Sequence, residues 1–154
     1  MQKINVLIFP AGAESSLDVY EALRYNLNIN VFGCSSKSDH ASFIYPEGQY
    51  FEGDYNISNC NFIRDFNTLL DSLKIDAVIP MHDSVALFLA ENRDNISAKI
   101  LVSPAETARV CHEKRKMYEL FSDCGFCPLV YNNADEISTF PVIVKANIGA
   151  GGKG

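Results

Sequence analysis

The sequence has no long apolar run. Its apolar runs, such as residues 6–9 and 77–81, are far shorter than the roughly 20 residues that a helix needs to span a bilayer. Met1 is followed within two residues by a strand-like segment, and not by the apolar core of a cleavable signal peptide. These absences predict a soluble, cytoplasmic protein without a membrane partner.

Basic charge is also scarce, with 13 lysines and arginines against 19 aspartates and glutamates and a net charge of −6. Residues 1–110 carry 8 basic and 14 acidic side chains, whereas residues 111–154 carry 5 of each. A nucleic-acid-binding protein needs a cationic surface to bind phosphates, so the composition argues against a nucleic-acid partner.

The five cysteines lack the even number and the regular spacing of a disulfide framework, which favours a reducing compartment. Cys124 and Cys127 have C-x-x-C spacing, but Cys124 is predicted to end a helix, where the helix dipole disfavours a thiolate. There is no second C-x-x-C, and the three histidines are scattered, which does not support a zinc site. We therefore predict no metal site and interpret this cysteine pair as small packing residues.

Apolar residues make up 47% of the chain, which is enough to form the core of one domain of ordinary size. Short apolar runs alternate with segments of helical periodicity in residues 1–111. Strands are predicted at residues 3–9, 29–34, 76–80 and 99–102. Helices are predicted from a Ser15 or Ser16 cap to residue 26, at residues 62–73 and 84–92, and from Pro104. A polar, turn-rich connection with one short strand is predicted at residues 35–61. This alternation predicts an α/β fold, a Rossmann-like open parallel sheet with helices on both faces.

A second region is predicted at residues 112–154. Residues 112–125 (HEKRKMYELFSDCG) favour a charged amphipathic helix that Gly125 terminates. Strands are predicted at residues 129–131 and 141–146, with a short helical turn at residues 133–137. This region has too little apolar area for an independent core, so we expect it to pack on the first domain or on further chain.

The last 15 residues, FPVIVKANIGAGGKG, combine a β-branched segment with four glycines in the final six positions. Glycines let several backbone N–H groups approach an anion, so such a loop is suited to binding phosphates. The alternative is a flexible glycine-rich linker. Because domains do not usually stop within such an element, we expect the chain to be a fragment of a longer nucleotide-dependent enzyme, with residues 149–154 mobile.

Two common phosphate-binding motifs do not fit. Gly149, Gly151 and Gly154 satisfy G-x-G-x-x-G, but a dinucleotide site needs that motif after the first strand, where only Gly12 is present. A P-loop needs serine or threonine after its Gly-Lys pair, and here Lys153 is followed by glycine.

Residues near the carboxyl ends of the predicted strands are candidates for substrate contacts. His82 and Asp83 follow the strand that ends at Pro80, and the Gly12 turn follows the first strand. Ligands of open α/β sheets bind at this edge. The alternatives are that Asp83 caps the next helix and that Gly12 merely turns the chain.

Two lysines accompany the glycine-rich segment: Lys145 on the predicted strand, and Lys114 in a basic cluster about 30 residues earlier. Two cations on different elements can neutralise one triphosphate. Here the sequence resembles the ATP-grasp superfamily, and especially its carbamoyl-phosphate synthase large-chain-like members. Three segments carry the resemblance, in order: DAVIPMHDSVALFLAENRDN, ILVSPAETARVCHEKRKMYELFSDCGFCP and PVIVKANIGAGGKG.

The resemblance implies that Lys114 and Lys145 are the two ATP-binding lysines. It also implies that Lys153 is an additional phosphate contact. The loop that covers the phosphates would consist of Gly149, Ala150, Gly151, Gly152 and Gly154. Glu113 replaces the family's usual aspartate and Ala146 its common proline. From the charge pattern alone, Lys114 could instead be a solvated charge on a helix face.

The resemblance further implies a pre-ATP-grasp domain at residues 1–111 and the start of an ATP-grasp domain at residues 112–154. The intact ligase would use ATP and Mg²⁺ to convert a small-molecule carboxylate into an acyl phosphate, which an amine or similar nucleophile attacks. We expect the magnesium ligands beyond Gly154, no catalytic residue in this chain, and therefore no activity and no cofactor requirement of the fragment itself.

Two alternatives from other classes stay open. The first is a non-catalytic, Rossmann-like module that binds a small ligand or forms a homodimer. The second is a dehydrogenase that binds NAD at the Gly12 turn.

Overall fold

The structure, a computed structural model, describes residues 3–149. Within that range the strands are β1 Ile4–Phe9, β2 Ile29–Ser35, β3 Tyr50–Glu52, β4 Ala77–Pro80 and β5 Lys99–Ile100. The α-helices are α1 Glu14–Leu23, α2 Phe62–Ser72, α3 Asp83–Glu91, α4 Ala105–His112 and α5 Lys114–Leu120. Short 3₁₀ turns cover His40–Phe43, Arg93–Asn95, Ser122–Cys124 and Ala134–Glu136.

The five strands form one parallel sheet in the order β3-β2-β1-β4-β5. The chain winds outward from β1 in one direction through β2 and β3, and then returns to the other side of β1 for β4 and β5. This is the arrangement of a doubly wound, Rossmann-like fold. The fold class predicted from the alternation of strands and helices is confirmed.

Side chains of β1 alternate between two cores, one on each face of the sheet. Leu7 and Phe9 belong to the larger core, to which α2 and α3 contribute residues such as Phe66 and Leu89. Ile8 belongs to the smaller core, with Tyr20 of α1. Because both faces of β1 are buried over residues 6–9, the sequence there is continuously apolar and not alternating. The predicted helices on both faces are therefore confirmed.

Most predicted elements are present with bounds shifted by one to three residues, but the start of α1 is different. The residue before the helix is Ala13, and no side chain caps its first turn. The predicted cap Ser16 lies inside the helix, fully buried, and its hydroxyl donates to the Pro10 carbonyl at 2.7 Å. The serine therefore hydrogen-bonds the turn that precedes the helix and does not cap the helix.

The helix predicted at residues 112–125 is also corrected. An extended residue, Glu113, separates α4 from α5. The predicted helix thus reduces to α5, followed by the 3₁₀ turn Ser122–Cys124. Gly125 has φ 71°, a left-handed conformation that glycine adopts without strain, and it ends the helical segment as predicted.

The strands predicted at residues 129–131 and 141–146 are absent from the described part of the chain. Ile143 and Val144 are 82% and 92% exposed. An apolar, β-branched segment becomes a strand only when a neighbouring strand pairs with its backbone, and no segment of residues 3–149 does so. The predicted helical turn near residues 133–137 is present at Ala134–Glu136.

No residue in the range 101–149 is buried. The last buried residue is Ile100, which belongs to the larger core. Residues 112–149, the described part of the second region, therefore contain no buried residue around which a separate core could form. Among the helices of residues 3–149, none has both the length and the apolar character needed to cross a membrane.

Candidate functional site

Strands β1 and β4 end side by side at the carboxyl edge of the sheet. Phe9 is in register with Pro80, and the Met81 N–H donates to the Phe9 carbonyl at 2.8 Å. These strands flank the point at which the strand order reverses, where open α/β sheets form their ligand crevice. The Gly12 turn after β1 and the His82-Asp83 pair after β4 therefore follow neighbouring strand ends at the same edge.

His82 and Asp83 are both exposed at the start of α3. His82 precedes the helix in an extended conformation, and its Nδ1 lies 2.8 Å from the Ser84 hydroxyl. Asp83 is the first helical residue and makes no capping bond, so the alternative that Asp83 caps this helix is wrong. An imidazole and a carboxylate thus remain available to a ligand at this edge.

Asp39 closes the other side of the Gly12 turn. Its carboxylate lies so close to Gly12 that a Cβ at that position would overlap it. The Ala41 N–H holds one carboxylate oxygen at 2.9 Å, and the Tyr50 hydroxyl donates to the same oxygen at 3.0 Å. Gly12 is therefore needed for close packing and not only to turn the chain.

Sequence reasoning missed Asp39, which lies in the irregular connection after β2. The available signal was an aspartate directly before a short helical turn, a position at which its side chain caps the turn. A carboxylate beside Gly12 repels a pyrophosphate, so its position is unfavourable for dinucleotide binding at this turn.

A buried tyrosine belongs to the same side of the sheet. Tyr45 is 5% exposed and packs its ring 4.2 Å from that of Tyr20, centroid to centroid. Within residues 3–149 its hydroxyl has no hydrogen-bond partner. Burial raises the pKa of this hydroxyl, and neighbouring tyrosines and Asp39 act in the same direction. The hydroxyl is therefore neutral at physiological pH.

The structure brings Lys114 and the beginning of the glycine-rich segment together. Lys114 is the first residue of α5, and its Nζ donates to the Gly149 carbonyl at 3.0 Å. The Lys114 N–H donates to the Asn147 carbonyl at 3.1 Å, and the Arg115 N–H donates to Asn147 Oδ1 at 2.9 Å. Asn147, which sequence reasoning also missed, links two segments that lie 32 residues apart.

The neighbouring cations of α5 have acidic partners. Lys116 forms an ion pair with Glu113 at 2.6 Å, and Arg115 forms one with Glu119 at 3.3 Å. Lys114 forms no ion pair within the described residues, and its ammonium faces a backbone carbonyl instead. The alternative of an ordinary helix-face charge thus describes Lys116 and Arg115 better than Lys114.

Lys145 is exposed on a segment without regular secondary structure and makes no hydrogen bond or ion pair within residues 3–149. The structure does not bring it into contact with Lys114. The remaining predicted loop residues lie outside the described range: Ala150, Gly151, Gly152, Lys153 and Gly154. The expected mobility of residues 149–154 stays a prediction.

The cysteine pair is corrected in part. Cys124 closes a 3₁₀ turn, as expected for the end of a helical segment, but it is exposed and does not act as a packing residue. Cys127 is partly buried, and both thiols are free. Cys34 is the buried thiol of the sheet, and burial raises its pKa.

No protein-family model matches the sequence, and no curated protein matches it. A solved structure of N5-carboxyaminoimidazole synthase from Aspergillus clavatus, in complex with ADP and 5-aminoimidazole ribonucleotide, is similar with a TM-score of 0.54. The sequences are 19% identical, and the match covers 80% of this chain and 30% of the synthase chain. At this identity the similarity supports the α/β fold alone.

The Bordetella bronchiseptica enzyme WbmH, solved in complex with NAD⁺, has a TM-score of 0.44 and 15% identity. That match covers 61% of this chain and 36% of the WbmH chain, and it is too weak to support an argument. The chain thus spans about a third of the length of either solved protein.

Proposed function

We propose that this chain supplies the N-terminal α/β domain and the first phosphate-binding residues of an ATP-dependent, ATP-grasp-type ligase. The observation that carries the proposal is the 3.0 Å bond between Lys114 Nζ and the Gly149 carbonyl. Two segments that the resemblance assigns to phosphate binding are in contact across 35 residues of chain. We place the domain boundary between residues 1–111 and 112–154.

The donors in this contact suit a polyphosphate. An ammonium that has no acidic partner among residues 3–149 and glycine backbone that can approach closely are groups suited to bind phosphate oxygens. The similar synthase was solved with ADP, which is compatible with a nucleotide ligand here. Lys114 and residues 149–154 would hold the phosphates, Lys145 would add a second cation, and Lys153 a third contact.

Magnesium does not fit the described part of the chain. Within residues 3–149 no group of three or more histidine, cysteine, aspartate or glutamate side chains could hold a metal ion. We therefore assign no metal ligand and no step through Mg²⁺ to these residues. Their contribution is to bind and orient the nucleotide.

The substrate would bind at the carboxyl edge of β1 and β4. The resemblance implies a small carboxylate that is phosphorylated by ATP and then attacked by an amine or similar nucleophile, as in carbamoyl-phosphate synthase-like ligases. Gly12, His82 and Asp83 lie at this edge, and an exposed imidazole and carboxylate can hydrogen-bond a polar substrate. These residues are positioned for substrate contacts, and we assign none of them a catalytic role.

The test compares ATP binding by three variants of the chain, followed by NMR because millimolar affinities remain measurable. A charge-assisted hydrogen bond contributes about 1.5–3 kcal/mol, so Lys114→Ala should weaken ATP binding by about tenfold or more. Lys145→Ala should also weaken binding. Lys116→Ala is the matched control, because that lysine already pairs with Glu113 and its loss should change the affinity less than about twofold.

Equal ATP affinities of wild type, Lys114→Ala and Lys145→Ala would contradict the proposal. The absence of any ATP-dependent change in wild type would instead favour the non-catalytic binding module. NAD-dependent shifts at Gly12 would favour the dehydrogenase.

A further inference from the structure

The start of α5 is capped by a residue from far along the chain. The first N–H groups of a helix have no partner within the helix, and a side chain just before it usually supplies one. Glu113 occupies that position but makes no side-chain capping bond. Asn147 supplies two acceptors instead. Its backbone carbonyl accepts from the Lys114 N–H, and its side-chain Oδ1 accepts from the Arg115 N–H.

The same lysine is held at both ends. Its backbone N–H donates to the Asn147 carbonyl, and its Nζ donates to the Gly149 carbonyl. Residues 147–149 therefore contact both the backbone and the ammonium of Lys114. The Arg115 bond fixes the next peptide unit in the same orientation. The position of the lysine and the path of residues 147–149 are consequently set together.

We propose that Asn147 is a positioning residue that couples Lys114 to Gly149 during nucleotide binding. The inference rests on the proposed function, because it takes the polyphosphate of ATP as the ligand of Lys114. Without ligand, the Gly149 carbonyl accepts a hydrogen bond from the Lys114 ammonium. A phosphate oxygen is a stronger, charged acceptor, so ATP replaces the Gly149 carbonyl as the partner of the ammonium. Asn147 meanwhile keeps the backbone of Lys114 in place.

Asn147 acts through Lys114 and need not touch the nucleotide. Loss of its side chain leaves the backbone carbonyl of residue 147 as an acceptor for the Lys114 N–H, but removes the hydrogen bond from the Arg115 N–H. The first turn of α5 then samples more orientations, and the ammonium has to be ordered when ATP binds. The cost appears as lower ATP affinity in a chain that is still folded.

The first measurement tests the contact without nucleotide, by amide hydrogen exchange at Arg115. We expect exchange about fivefold faster in Asn147→Ala than in wild type. Asn147→Asp should retain wild-type exchange, because its carboxylate keeps the acceptor and suits a helix N-terminus. Identical exchange in wild type and Asn147→Ala would show that the cap is not formed and would overturn the inference.

The second measurement is ATP titration of the folded variants by NMR. Asn147→Ala should bind ATP about fivefold more weakly than wild type, which is about 1 kcal/mol at 1.4 kcal/mol per tenfold. Asn133→Ala is the matched control, since Asn133 is an exposed asparagine whose side chain bonds only Glu136 within the described residues. Its ATP affinity should match that of wild type.

The outcomes separate the two proposals. If wild type binds ATP and Asn147→Ala binds it equally well, the coupling role is wrong and the proposed function stands. If Asn133→Ala weakens ATP binding as much as Asn147→Ala, the effect is not specific and the coupling role is also wrong. If wild type shows no ATP-dependent change, the proposed function fails and the coupling role falls with it, even where the Arg115 exchange confirms the cap.

Discussion

At the scale of single residues, the carboxyl edge of the sheet depends on one close approach. Gly12 has no Cβ, and the space that a Cβ would fill is occupied by the Asp39 carboxylate. That carboxylate is held by the Ala41 N–H and the Tyr50 hydroxyl, so it cannot move without losing hydrogen bonds. The shape of the turn beside the proposed substrate crevice is therefore determined by a pair of residues distant in sequence.

Gly12→Ala should destabilise the protein by about 1–3 kcal/mol, because the displaced carboxylate gives up its partners. The free energy of unfolding from urea titration measures this loss. In an Asp39→Ala background the same substitution should cost clearly less, since the overlapping group is gone. A cost that is equal in both backgrounds would show that Asp39 is not the obstacle.

At the scale of elements, helical periodicity was a reliable guide and apolar content was not. The apolar positions of residues 62–73 predicted α2, and the structure buries Phe62, Phe66, Leu69 and Leu70 on one face of that helix. Residues 141–146 are as apolar, yet they form no strand. A helix satisfies its backbone internally, whereas a strand depends on a neighbour.

Phe66→Ala should therefore be among the most costly substitutions in the chain. Its ring is fully buried and lies 5.0 Å from those of both Phe9 and Phe62, centroid to centroid. The expected loss in unfolding free energy is about 3–5 kcal/mol. Phe43→Ala provides the control, because Phe43 is 91% exposed and should change stability by less than about 0.5 kcal/mol. Similar losses at both positions would contradict the assignment of the core.

At the scale of the whole molecule, burial ends where the sheet ends. The larger core draws on residues up to the partly buried Val102, and residues beyond it lie at least partly exposed throughout the described range. Helix α4 is connected to the sheet domain through the ion pair of Arg109 with Glu91 of α3. Surface ion pairs contribute little to stability, so this pair adds little to the attachment of α4.

Amide hydrogen exchange should divide the chain at this boundary. Amides of β1 and β4 lie in the centre of the sheet and should exchange only through global unfolding, whereas those of residues 126–146 should exchange by local opening. Mass spectrometry of peptic fragments measures this difference. Protection of residues 126–146 comparable to that of β1 would contradict it.

Much of the sheet domain could be predicted from local patterns. Continuous apolar runs at β1 and β4 predict strands buried on both faces, and the alternation with helices predicts a parallel sheet. Lys114 was identified from a resemblance of ordered motifs, not from its charge, which it shares with its two neighbours. The three-dimensional contacts also distinguish it from Arg115 and Lys116, because those two pair with acids.

The amino-acid sequence by itself determined which segments become helices and strands in residues 3–102, because periodicity and burial there are properties of contiguous residues. The tertiary structure alone decided that Asp39 lies on Gly12 and that Asn147 caps the helix of Lys114. Each of these contacts joins residues more than 25 positions apart. Such pairs meet only after the chain has folded, so no local pattern encodes them.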